Sequence, residues 1–287
     1  MSSPECITWM TVGLAESVAI VTLNLCTIIV FIRNRNLRKR STYLVINLAV
    51  TDLLVGGVAV CVLFYGFGVF CDVWKERLNV HLPDDIETGW LLFFPSVSLV
   101  NISIIALERA YATFRPLRHR VLKKWVYGLL IAYCWVGSGL TTITFELLKG
   151  GVYDLYTKIA GLLFYLLIIC VCYTSIVIKV RCGAQPQHHG AASRERKLTM
   201  TLLIVTVVSL LFYLPTSMFA VLLYSGKFEM SFPVGVNIYG ALWVLLYANS
   251  LVNPILYAIR MPQYRSAVAA LFRKKPALRN RERRVVN

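Results

Sequence analysis

Seven separate runs of mostly apolar residues, each close to or above the length that crosses hydrocarbon as a helix, constrain this 287-residue chain more than any other feature. They fall at about 9–32, 42–70, 87–112, 126–148, 156–179, 198–224 and 232–259. About 20 residues span a bilayer core as an α-helix, and inside lipid every backbone amide must find its partner within the protein. With 57% hydrophobic residues, too little polar surface remains to cover a soluble globule of this length. The chain reads as an all-α membrane protein, a seven-transmembrane helix bundle. Residues 1–8 are expected as an extracellular N-terminus, 9–259 as the bundle and 260–287 as a cytoplasmic tail.

The cations set the orientation. Five follow the first span (Arg33 to Arg40), six lie between Arg109 and Lys124, five between Lys179 and Lys197, and nine in the tail, together 25 of the 30 Lys and Arg. The positive-inside bias makes that face cytoplasmic, and an odd number of spans then leaves the N-terminus outside and the C-terminus inside. The net charge of +16 thus follows from topology and attraction to anionic lipid, without any nucleic acid.

Polar groups inside the spans are where function is sought, because a charge in hydrocarbon needs partners or water. Asp52 lies mid-span, ten residues past the start of the second span at residue 42, or about 15 Å at 1.5 Å per residue. Glu108 and Arg109 end the third span, and Glu16 and Glu146 lie near the outer ends of the first and fourth. Asn24, Ser98, Asn101, Asn249, Ser250 and Asn253 add neutral oxygens and amides. The seventh span closes on Asn253-Pro254-Ile255-Leu256-Tyr257. Its proline removes a donor and crowds the carbonyl four residues back, so something polar must sit beside that helix.

These residues carry a resemblance over nearly the whole chain: Asn24, then Leu48-Ala49-Val50-Thr51-Asp52, Glu108-Arg109, Trp135, Tyr173, Pro215 and Asn253 to Tyr257, in order on seven spans. The pattern resembles the rhodopsin-like G-protein-coupled receptors. That resemblance implies a ligand-activated receptor of the plasma membrane, not an enzyme, which acts by outward motion of the sixth helix and nucleotide exchange on a heterotrimeric G protein. It assigns Arg109 to a resting contact with Glu108 and then to the G protein, Tyr173 and Tyr257 to steadying the active arrangement, and Pro215 to a kink. Asp52, Ser98, Asn249, Ser250 and Asn253 match the family's sodium pocket, so an allosteric sodium ion is the one cofactor implied.

Departures from the family are informative. The triplet begun by Glu108-Arg109 ends in Ala110, and the sixth span reads Ser209-Leu-Leu-Phe212-Tyr213-Leu-Pro215, which puts Tyr213 where relatives have a switch tryptophan. The thinner aromatic packing suggests raised basal activity. The usual disulfide from the third helix has no cysteines here. Of the eight cysteines only Cys6 and Cys71 face the oxidising side; they either pair or stay two free thiols. A missing staple, a short second outer loop and a proline-free fifth span give a similarity to the melanocortin, lysophospholipid and cannabinoid cluster, and the run from Asn253 to Arg260 is similar to the adenosine receptors, without any ligand-reading motif of these receptors.

Ligand chemistry narrows by exclusion. The third span has no acid between Glu87 and Glu108, and Leu91 stands where amine receptors keep an aspartate. The expected cavity lining is Phe94, Tyr213, Thr216, Ser217, Tyr239, Trp243 and Tyr247, which suits a lipid-like or neutral small molecule; packing between helices explains the same aromatics. A basic peptide met by acidic residues at the mouth is an alternative ligand, and a membrane transporter is the alternative of another class, though no internal repeat supports it. The tail segment after Met261, with Pro262 near its start, an apolar face and a basic flank, reads as an amphipathic helix on membrane lipid.

Overall fold

A computed structural model describes residues 4–34, 37, 41–64, 84–148, 152–182 and 231–272, together with 200, 204, 207–208, 211–216 and 218–219. The chain spans as α1 (Pro4–Arg33), α2 (Thr42–Val62), α3 (Asp84–Phe114), α4 (Lys124–Leu147), α5 (Val152–Cys182) and α7 (Phe232–Arg260). The sixth expected span, 198–224, lies largely outside the described residues; those that are described, including 211–216, are helical and are called α6 here. A short helix, Pro116–Val121, joins α3 to α4, and α8 (Pro262–Phe272) follows α7. Among the described residues six helices are long and apolar enough to cross a membrane. α1 is helical from Pro4, five residues ahead of its expected start.

α3 is the central post. Some 72% of its membrane window is buried, against 22% for α4 and 28% for α5, and it packs on α2, α4 and α5 while α1 packs on α2 and α7. Lipid is as apolar as leucine, so association of such helices rests on close packing and interhelical hydrogen bonds. Both are present. Gly56 lets α2 approach α1 so closely that a Cβ there would meet Ile20 at 2.9 Å, and a Cβ on Gly240 of α7 would meet the Trp9 ring at 2.4 Å. Trp135 Nε1 donates to Asn47 Oδ1 (3.0 Å) between α4 and α2, and Asn101 Nδ2 donates to the Leu44 carbonyl (3.2 Å) between α3 and α2.

The proline in α7 has the consequence its sequence demands. Pro254 stands inside the helix, and the carbonyl it displaces, that of Ser250, accepts from Asn24 Nδ2 of α1 at 3.1 Å. α8 turns its Tyr264 and Ala267 inward. Tyr264 stacks near Phe31 and Tyr257, with centroids 5.7 and 6.1 Å away, and its hydroxyl shares a 2.7 Å hydrogen bond with Thr27 of α1. Burial pushes the Tyr264 phenol above its usual pKa, which keeps it a neutral donor. The apolar face of α8 is thus spent partly on the bundle.

Candidate functional site: a mid-depth polar seam and a caged arginine

The seam is built on Asp52, which is fully buried. Its carboxylate accepts three hydrogen bonds: from Ser98 of α3 (3.1 Å) and Ser250 of α7 (2.8 Å) on Oδ1, and from Asn253 Nδ2 of α7 (2.7 Å) on Oδ2. Three donors at 2.7–3.1 Å stabilise the charged form that burial opposes. Asn249, expected beside Asp52, instead donates to Tyr213 Oη of α6 at 3.4 Å, and that hydroxyl donates to the Pro95 carbonyl of α3 at 3.3 Å. The oxygens Asn249 Oδ1 and Asn253 Oδ1 are buried with no hydrogen-bond partner among the described residues. Four helices therefore meet at one depth through a carboxylate, two hydroxyls, two amides and a phenol.

At the far end of α3, Arg109 is the bulkiest fully buried side chain among the described residues, 1% exposed. Its Nε donates to Glu108 Oε2 at 2.5 Å, and its Nη2 lies against the same oxygen. Glu108 is itself held from two other elements. His119 Nε2, on the short helix, is 2.6 Å from Oε1, Tyr127 of α4 donates its hydroxyl to Oε1 at 3.2 Å, and the two donors are 3.3 Å apart. Sequence reasoning placed Glu108 and Arg109 but missed His119 and Tyr127. The available signal was an imidazole three residues into a helix opened by Pro116, within reach of a carboxylate that needs a second partner.

Tyr173 and Tyr257 are buried in the same core, 4% and 2% exposed. Tyr257 makes an edge-to-face contact with Phe31 at 6.3 Å, and its hydroxyl has no partner among the described residues. Pro215 lies within α6. Of the expected ligand-lining residues, Phe94, Trp243 and Tyr247 share one buried apolar cluster. Phe94 packs against Trp135 and Phe93, Tyr239 is 45% exposed and rests edge-on to Phe219, and Thr216 keeps an unpaired buried hydroxyl. Trp243 and Tyr247 alone of this set line a cleft together, and it faces α1. Ser217 lies outside the described residues. Cys6 is disulfide-bonded, while Cys26, Cys61, Cys134, Cys170 and Cys172 are free; Cys71 lies outside the described residues.

A helical bundle of membrane length, with a buried carboxylate at mid-depth and a caged arginine at one end of its central helix, defines an integral membrane protein with a polar core. The family model for "7 transmembrane receptor (rhodopsin family)" matches residues 23–151 and 149–257. The chain belongs to that family: it is a G-protein-coupled receptor and not an enzyme. Its similarity to the histamine H2 receptor of Rattus norvegicus is 30% identity over 96% of this chain and 84% of the relative. Melanopsin of Rattus norvegicus is 29% identical over 86% of this chain and 57% of its own length, and somatostatin receptor type 5 of Bos taurus 27% identical over 89% and 72%. Membership of this family sets aside the transporter reading.

Proposed function

We propose that the protein lies in the plasma membrane with its N-terminus outside, binds a small, largely apolar extracellular ligand, and passes the signal on by outward motion of α6 and nucleotide exchange on a heterotrimeric G protein. The observation that carries this is the guanidinium of Arg109, folded onto Glu108 at 2.5 Å and nearly inaccessible. An arginine buried at the end of a span and held by one carboxylate is a bistable contact: released, it supplies five donors to a partner. Tyr213, bridging α3 and α7 from α6, links that motion to the seam.

The seam's residues fit a sodium ion. Asp52 supplies the one carboxylate, with Ser98, Asn249, Ser250 and Asn253 as neutral oxygen donors, and the two unpaired amide oxygens are the hard ligands such a cation takes. A bound cation would supply positive charge to hold the carboxylate and α7 together. The test of the proposal is GDP release from purified Gα proteins by the receptor in lipid nanodiscs. Wild type accelerates release from at least one Gα and Arg109→Ala does not; equal, unstimulated rates for both with every Gα would reject the reading.

A further inference from the structure

Toward the end of the bundle where α1 begins, Trp9 and Glu16 of α1, Leu63 after α2, and Trp243 and Tyr247 of α7 line a narrow cleft. Only a group of about one water's size fits in it without displacing a side chain. Its walls are fixed. Trp9 lies against Gly240, where a Cβ would sit 2.4 Å from its ring, and its indole N–H donates to Asn237 Oδ1 at 2.9 Å. Trp243 and Tyr247 hold each other edge to face at 5.4 Å. Against them lies Glu16, twelve residues into α1 or about 18 Å along it, a half-buried side chain whose Oε2 is buried with no hydrogen-bond partner among the described residues.

This combination is poorly suited to an anion standing alone. A carboxylate oxygen withdrawn from water, as Glu16 Oε2 is, is costly unless paired, and the faces of indole and phenol rings carry partial negative charge that repels an anion and attracts a cation. Something positive is what both features complement. A hard metal ion takes about six or more oxygens, whereas the cleft offers one carboxylate among rings. A planar guanidinium exceeds the space. A primary ammonium head is the size of a water, donates three hydrogen bonds and is attracted to aromatic faces.

We propose that Glu16 is the counter-ion for the ammonium group of a small amine ligand, seated between α1 and α7 and walled by Trp9, Trp243 and Tyr247. The anchor then stands on α1 rather than on α3, where Leu91 leaves no acid. The expectation of a neutral ligand rested on that missing acid, and Glu16 supplies one from another helix. The proposal depends on the receptor reading only in taking the bound amine to be the signal.

The test separates the two. Full-length receptor in nanodiscs, without G protein, is titrated with butylammonium, phenylethylammonium and tetramethylammonium, each against its neutral alcohol or hydrocarbon counterpart, by ligand-observed NMR. At least one primary ammonium binds, and its neutral counterpart binds tenfold or more weakly. Glu16→Gln loses at least tenfold in ammonium affinity, the scale of a charge-assisted hydrogen bond, while Glu16→Asp retains part of it. Difference infrared spectra of the wild type show a carboxylate band perturbed by the amine and absent in Glu16→Gln, a readout that stands even where a variant folds poorly. Equal binding of ammonium and neutral probes, no binding across the series, or an infrared change that survives Glu16→Gln overturns the proposal. Glu16-dependent binding together with equal, unstimulated GDP release by wild type and Arg109→Ala would leave the cation site standing and remove the receptor mechanism proposed above.

Discussion

Single side chains decide most of what this receptor can be asked to do. Asp52→Asn keeps the shape of the seam but removes its only charge, so agonist affinity measured in sodium and in N-methylglucamine should become equal; a sodium effect as large as in wild type would refute the pocket. At the other end, Glu108 is gripped by a cation, an imidazole and a phenol at once. Breaking one side of a buried charge pair costs about 3–5 kcal/mol, so Glu108→Gln should free Arg109 and raise ligand-free GTPγS binding several-fold. His119→Ala removes the imidazole from Glu108 and Tyr127 but leaves Arg109 its carboxylate, and its effect should be in the same direction and smaller. Basal exchange in His119→Ala at or below wild type would show that the imidazole does not restrain the lock.

Between helices, the glycines carry the argument. Gly240→Leu would drive a side chain into the Trp9 ring and should destabilise the α1–α7 contact by about 1–3 kcal/mol, read as a lower melting temperature of the detergent-solubilised receptor. Gly235 lies on the same helix with nothing within 4 Å of its would-be Cβ, so Gly235→Ala is the matched control and should leave the melting temperature unchanged or slightly raised. Asn24→Ala strands the Ser250 carbonyl released by Pro254; an unsatisfied buried acceptor costs about 1–3 kcal/mol. That contact was legible in outline, because a proline inside a membrane helix demands a polar neighbour. Which neighbour was not legible, since the answer lies 226 residues away in sequence. Six of the seven spans were readable from hydropathy alone, and counting residues from the start of the second span put Asp52 near the middle of α2. His119 and Tyr127 escaped because a short loop helix and the start of α4 have no periodicity that aims them at Glu108. The inward use of Tyr264 escaped for a related reason: an amphipathic pattern says that a face is buried, not whether lipid or protein covers it. An aromatic ligand lining is not legible in sequence, because rings such as Phe94 fill gaps between helices as readily as they meet a ligand.

The bundle as a whole couples these parts through α3 and α7. α3 contributes Pro95 and Ser98 to the seam and Glu108 and Arg109 to the lock, so both sites share one rigid helix. Tyr213 stands where the family resemblance implies a larger ring; it packs in the main apolar core, and its hydroxyl adds polar contacts at 3.3 and 3.4 Å. Long hydrogen bonds restrain α6 less than a packed indole. Cells expressing the receptor without ligand should therefore signal above an empty-vector control, and Tyr213→Trp should lower that signal; no difference from the control would dismiss raised basal activity. One further coupling runs along α1. Glu16 and Thr27 stand on the same unbroken helix, eleven residues or about 17 Å apart, and Thr27 is hydrogen-bonded to Tyr264 of the tail helix. A tilt imposed on this rod at the amine cleft is therefore felt at the tail helix, by a route that bypasses α6 altogether.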